Sequence, residues 1–301
     1  MSAALAMSLG EVDQKIAALD RIPSIPAILV PLLRLLEIAP ETVDVQRIVE
    51  LIGHDKSLAA QTLHMANSPL FGRYQNIRTI RGAVLALGID RVREMATTCC
   101  ILKLLPGQDA EFDIRALWEH SLGVALVSRR FARKIGFQEP ELAYLAGLLH
   151  DIGLIVNLIV IREEFLEARR CAARDGTGFH EAENKVIGFA HGVSGGLLAE
   201  RWSLTPELKE VIRRHHEFER AQTSLELVAL INVADTLCRF RGLGYGFSET
   251  QSVCFSNEPA FRHLAEKFPV LWRTDLEKFT FELDGYINEV RNLVSVLFRM
   301  K

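Results

Sequence analysis

Cysteine is scarce in this chain of 301 residues. There are five, Cys99, Cys100, Cys171, Cys238 and Cys254, and no two of them form a C-x-x-C pair. An odd set without motif spacing argues against a disulfide framework or a cysteine-ligated zinc site. Reduced, mostly buried thiols in a cytoplasmic protein are the expectation, with adjacent Cys99 and Cys100 as core residues. Positive charge is not in excess either: a net charge of −3 gives no general attraction to nucleic acid or to an anionic membrane surface. Low-complexity tracts and internal repeats are absent, and Met1–Ser8 lacks the basic residues and the length of a secretory signal. With 49% hydrophobic and 24% charged residues, the composition is globular rather than disordered or fibrous.

Strand patterns are almost as rare. Only Ile155–Ile161, β-branched and apolar, reads as a candidate strand, and no partner for it is evident. Helical signals dominate, and the expected fold is all-α, a multi-helix bundle with an N-terminal helical subdomain. Pro26 stands in the first turn of one helix; Asp44 can cap Val45–Ile52, and Asp55 or Ser57 can cap Leu58–Ala66. Gly88 separates Thr79–Leu87 from Ile89–Leu105, and Gly136 ends a long periodic helix over Ile114–Ile135. Glu139-Pro140-Glu141 opens the next helix, Gly176-Thr177-Gly178 precedes a helix over Glu181–Trp202, and Thr205-Pro206-Glu207 starts another that runs through His216. Leu225–Arg239 follows. Pro106-Gly107-Gln108-Asp109 is the best linker candidate, which divides the chain into residues 1–108, 109–242 and a C-terminal extension over 243–301.

That extension ends in Asp275–Met300, where Leu276, Phe279, Leu283, Tyr286, Ile287, Val290, Leu293, Val294 and Leu297 make one apolar face, with Gly285 a candidate bend. Full burial of a large apolar side chain is worth roughly 1.5–3 kcal/mol. The face is therefore expected against its own bundle or in a homodimer.

The most informative segment is Leu142–Ile161, a strongly apolar run with His150 and Asp151 in its middle. Its length would cross a bilayer, but His150, Asp151 and Asn157 at that depth favour a buried helix pair, so no membrane association is expected. An ionisable pair buried in apolar surroundings needs compensation, and a metal ion is the usual one. His120 lies upstream, and His191, His215, His216 and Asp235 follow downstream. Imidazole and carboxylate groups suit first-row transition metals, and an aspartate can bridge two ions. Neighbours such as His150 and Asp151 diverge by about 100° on a helix, so both reach one site only if it lies between them. His54, His64, His180 and His263 read individually as structural or exposed.

The order of these residues resembles that of the HD superfamily of metal-dependent phosphohydrolases, and His150-Asp151-Ile152-Gly153 has the H-D-x-G form of its HD-GYP and HDOD branches. The N-terminal half distinguishes the two. Ile22-Pro23-Ser24-Ile25-Pro26, His54-Asp55-Lys56-Ser57-Leu58, Met65-Ala66-Asn67-Ser68-Pro69-Leu70-Phe71-Gly72 and Ala83-Val84-Leu85-Ala86-Leu87-Gly88 resemble the HDOD pattern. Downstream, Glu183, Gly188, His191, Trp202, Pro206 and His215-His216 match as well. The resemblance spans Ile22 to Gly242.

By that resemblance, His120, His150, Asp151, His191, His215, His216 and Asp235 occupy the metal-binding positions of HD-GYP phosphodiesterases. One or two divalent ions, iron, manganese or zinc, are the implied cofactors. Three departures bear on catalysis: Leu154 stands where the related enzymes have a lysine, Glu217-Phe218-Glu219-Arg220 replaces a GYP loop, and Ala116 replaces a glutamate, although Glu119 is adjacent to His120. The favoured expectation is a bacterial signalling module that binds a metal, with a nucleotide as a candidate ligand, and acts through a protein partner. The alternative is an active phosphohydrolase on a nucleotide or cyclic dinucleotide. Nucleic-acid binding through Arg73, Arg78, Arg81, Arg91 and Arg93 is disfavoured, since these read as a solvated face.

Overall fold

The computed structural model describes residues 44–71, 76–104, 109–244 and 255–300, together with Gly10 and residues 31–32. The expectations for the paired-proline start, for Pro106–Gln108 and for Cys254 lie outside the described residues, as does Arg73. The fold is all-α, with no strand among the described residues. Ile155–Ile161 is not a strand: most of it belongs to a helix, which satisfies its backbone where no partner strand exists.

Four helices form the N-terminal group: α1 (Val45–Gly53), α2 (Lys56–Ala66), α3 (Ile80–Leu87) and α4 (Ile89–Leu104). Their starts follow the capping signals, with the Asp44 side chain accepting from Gln46 N–H at 2.8 Å and that of Asp55 from Leu58 N–H at 3.0 Å. Cys99 and Cys100 are both buried on α4. Arg93 departs from the expected solvated face: it is 2% exposed and pairs with Asp90 one turn earlier.

The second group is built on α5 (Ile114–Ile135), which ends at left-handed Gly136. A short turn then brings α6 (Pro140–Leu149) back along it. Their axes come close at Gly147, where a Cβ would lie 2.9 Å from Ala125 Cα. Behind them follow α7 (Ile152–Val160), α8 (Arg162–Asp175), α9 (Phe179–Val186), α10 (His191–Arg201), α11 (Pro206–Arg214) and α12 (Leu225–Phe240). The two groups join at α4, where Thr98 and Tyr144 share a 2.8 Å hydrogen bond and the Arg129 guanidinium pairs with buried Glu94.

The apolar run breaks at His150-Asp151 into a buried helix pair, as expected, whereas the single helix expected over Glu181–Trp202 is interrupted between Val186 and His191, where Gly188 has φ +96°. Pro140–Val160 is long and apolar enough to cross a membrane, yet its most apolar window is 89% buried by the rest of the chain. Finally, α13 (Pro259–Lys267) packs on α12, and α14 (Leu276–Arg299) runs unbroken through Gly285 along α5. Phe279, Leu283, Ile287, Val290, Leu293, Val294 and Leu297 are buried, so the chain itself covers this apolar face. The Leu276 side chain lies outside the described ones.

Candidate metal centre

The second group brings His120, His150, Asp151, His191, His215, His216 and Asp235 together from six helices and the turns at their ends. His120 sits on the inner face of α5 and Asp235 on α12. His150 ends α6 and Asp151 caps α7, so the helix break aims two neighbouring side chains inward. His191 opens α10, while His215 and His216 end α11. Gly153 makes the assembly possible: a Cβ there would overlap the His191 carbonyl oxygen and lie 2.8 Å from Gly195 N. Only glycine lets α7 approach α10 this closely.

The centre has two lobes that share Asp151. Its Oδ2 lies 2.9 Å from His150 Nε2 and 3.4 Å from His120 Nε2. Its Oδ1 lies 3.1 Å from His191 Nε2 and 3.3 Å from His215 Nε2. Asp235 Oδ1 completes the first lobe, 3.1 Å from His120 Nε2, and Asp235 Oδ2 is 3.9 Å from His216 Nδ1. Groups of this kind within 4.8 Å of one another, Asp151 with His191, His215 and His216, and His120 with His150 and Asp235, could each hold an ion.

The outer imidazole nitrogens decide the chemistry. His120 Nδ1 meets the Leu243 carbonyl at 2.6 Å, His150 Nδ1 the Gly147 carbonyl at 2.7 Å, and His215 Nδ1 the Val211 and Ile212 carbonyls at 3.2 Å. His191 Nδ1 meets Glu183 Oε2 at 2.5 Å. Carbonyls and carboxylates accept, so each Nδ1 carries the proton and each neutral Nε2 presents a lone pair inward. Those lone pairs face the Asp151 carboxylate and one another, at 3.2 Å for His120–His150 and 3.3 Å for His191–His215. Acceptors converging on acceptors, away from water, require positive charge between them.

Without such a cation, protons must supply the charge. Burial opposes ionisation of His120, but the Asp151 and Asp235 carboxylates outweigh it and raise the imidazole to about 9. His191 is likewise raised against burial, to about 10, chiefly by Glu183 and Asp151. Burial together with neighbouring imidazoles lowers His215, and lowers His216 well below the usual range. Burial works against the carboxylate of Asp151, yet His150, His120 and His191 hold it well below its usual value. A cation that takes this place must therefore displace protons from His120 and His191. Metal uptake near neutral pH is expected to release protons, and affinity to fall as pH is lowered. The metal-free fold should behave in the opposite way. Both imidazoles are raised above the ordinary 6.5, so their contribution to stability is complete below that pH and lost as pH climbs through about 9 to 10. Titration calorimetry in two buffers of different ionisation enthalpy checks the first point, and equal heats in both would contradict it.

Glu183, read from the sequence only as part of the family pattern, and Asn157, Ser194, Arg239 and His180, which the sequence did not assign to the centre, surround the candidate ligands. Glu183, 0% exposed on α9, accepts from His191 N–H at 2.9 Å as well as from its ring, while Asn157 Nδ2 donates to its other oxygen at 3.0 Å. Ser194 in turn donates to Asn157 Oδ1 at 2.5 Å. A polar Asn157 inside an apolar helix was the available signal. Arg239 pairs with Asp235 at 2.9 Å, and His180 stacks on His216 with ring centroids 4.7 Å apart. Glu183→Gln should weaken metal binding by about 10–100-fold, because the partner that fixes the His191 ring loses its charge. Competition with a chelator measures this, and unchanged affinity would exclude the role.

An all-helical bundle enclosing a two-lobed His/Asp centre defines a protein of the HD type. The HDOD domain model matches residues 22–218, and the chain belongs to the HDOD domain family. An HDOD domain protein from Geobacter sulfurreducens is similar over 96% of this chain and 97% of its own, with 31% identity and a TM-score of 0.83. A proposed phosphohydrolase from Shewanella amazonensis shares the fold, with a TM-score of 0.71 at 22% identity over 94% of this chain and 98% of its own. An uncharacterised protein of Treponema pallidum is 26% identical over 224 residues, 74% of this chain. The chain spans less than half the length of that relative, 43%.

Proposed function

We propose that the centre holds divalent transition metal and presents it to a phosphate-bearing ligand, such as a nucleotide, whose binding is relayed to a protein partner. The observation that carries this reading is the convergence of inward Nε2 lone pairs on the two oxygens of Asp151. The donor set fits iron, manganese or zinc, and two lobes sharing a carboxylate fit two ions. A divalent ion there would polarise a phosphate oxygen and lower the pKa of a water.

The chain's own residues supply the approach. A cavity of about 200 Å³ reaches the centre at His216, and its lining includes His180, Asn184, Arg213, Arg214 and Arg220. Its guanidinium groups suit an anion, but they are not idle: Arg214 and Arg220 each meet Glu217 at 2.8 Å, and Arg213 meets Glu200 at 3.4 Å. An entering phosphate would exchange partners with Glu217, moving the turn between α11 and α12. That rearrangement is the route from ligand to partner.

Efficient hydrolysis is not expected. Leu154, where a lysine would stand in the related enzymes, is wholly buried among apolar neighbours and offers no cation to a developing charge. Phosphohydrolase activity is the second reading, favoured by the complete ligand set. The test is incubation of metal-reconstituted protein with cyclic di-GMP and with a generic phosphodiester. Weak or absent turnover beside measurable nucleotide binding is expected. Robust turnover, abolished by His150→Ala, would promote the enzymatic reading.

A further inference from the structure

The first lobe of the centre is held by a segment that lies beyond the matched family region. Where α12 ends, Gly242 adopts φ +78°, and Leu243 N–H bonds back to the Cys238 carbonyl at 3.0 Å. This turn drives the Leu243 side chain onto α5 at Gly123, one turn after His120, where a Cβ would overlap it. With Leu243 seated there, its carbonyl meets His120 Nδ1 at 2.6 Å. Leu243 thus sets both the tautomer and the ring direction of His120.

The turn is in turn held by α14. Arg291 Nη2 donates to the Gly242 carbonyl at 2.8 Å, and its Nε lies 3.7 Å from Glu119, the residue before His120. Asp284, two turns earlier on α14, accepts from Arg241 Nε at 2.8 Å. One helix therefore grips the turn at two points and the Glu119 carboxylate of α5 at a third. No such tie to α14 is present among the contacts described for His191 or His215.

We infer that Arg291 and Leu243 are positioning residues for His120, and that docking of α14 sets the His120–His150–Asp235 lobe independently of the Asp151–His191–His215–His216 lobe. Any partner that lifts α14 would loosen one lobe and spare the other. The metal consequence rests on the proposed function; the consequence for the His120 ring orientation and its Nδ1–H hydrogen bond does not.

The experiment uses the full chain with Arg291→Ala, the conservative Arg291→Lys, and Asn288→Ala at an exposed α14 position as control. The Arg291 side chain is 43% exposed, so its truncation spares the core. Two readouts are taken. In metal-free protein with ¹⁵N-labelled histidine, Arg291→Ala should shift the His120 Nδ1–H signal and leave that of His191 in place. In manganese titrations, one of two macroscopic affinities should weaken about tenfold or more while the other holds, with partial rescue by lysine. An unmoved His120 signal overturns the latch, as does equal weakening of both affinities. If wild-type protein binds no manganese at all, the metal reading fails, and the imidazole spectrum alone decides the latch.

Discussion

Asp151→Ala is expected to abolish stable metal binding in both lobes at once. Among the described residues, this carboxylate is the one group that meets all four inward imidazoles, with Oδ2 on His120 and His150 and Oδ1 on His191 and His215. Replacing any one histidine leaves the other lobe's donors in place, whereas replacing Asp151 removes a donor from each. The effect on the metal-free fold should also be large. His120 and His191 carry protons because Asp151 and its neighbours raise them, so the variant leaves buried positive charge poorly compensated. Removing one partner from a buried charge cluster costs about 3–5 kcal/mol. Elemental analysis and denaturant unfolding in chelator measure the two effects. A variant that keeps wild-type metal content would show that Asp151 is not the shared ligand.

Gly153→Ala is expected to be nearly as damaging, although it adds a single methyl group and touches no ligand side chain. The added carbon would overlap the His191 carbonyl oxygen and press on Gly195 N at 2.8 Å, both backbone atoms that cannot rotate away. Gly195 is itself pinned, since its own Cβ would lie 3.2 Å from Gly153 Cα. Relief requires α7 and α10 to separate, carrying Asp151 away from His191. Overpacking of this kind costs about 3 kcal/mol, at the upper end for an added methyl group. Metal affinity should fall with it, through the lengthened Asp151–His191 approach. A variant within about 1 kcal/mol of wild type in chelator, with unchanged affinity, would refute the packing argument.

The fourth residue of the H-D-x-G motif thus has a steric task, and nothing in its spacing announces that. The motif was legible as a pattern, and the reason for its glycine only as a contact. The same contrast runs through the fold. Asp44, Asp55 and Gly136 act where local chemistry places them, because caps and left-handed stops depend on neighbours in sequence. His150-Asp151 in the middle of the apolar run signalled a helix pair, but nothing in the spacing showed that the break itself aims both side chains at one centre. Gly188 was visible within Glu181–Trp202, but a lone glycine is tolerated inside helices and its φ of +96° is a tertiary outcome.

The site shows where periodicity stops informing. All of the proposed ligands converge, since ligand types in a family order are a strong signal. Glu183 reads from sequence only as a position of the family pattern, and its contact with His191 reveals it as a positioning group. Arg93 misled in the other direction: an arginine among other arginines looked solvated, yet Asp90 and the surrounding core bury it. Leu243 has no polar side chain at all, and its backbone carbonyl is the part that acts on His120.

The central claim is that the lone pairs facing Asp151 are compensated by metal. Metal content of the wild-type protein tests it most directly, measured after purification without chelator and again after anaerobic reconstitution with iron, manganese or zinc. The account predicts one to two tightly held ions per chain, with His120, His150, Asp151, His191, His215, His216 and Asp235 as their source. Sub-stoichiometric metal under both conditions, with His120 and His191 still protonated near neutral pH, would contradict it.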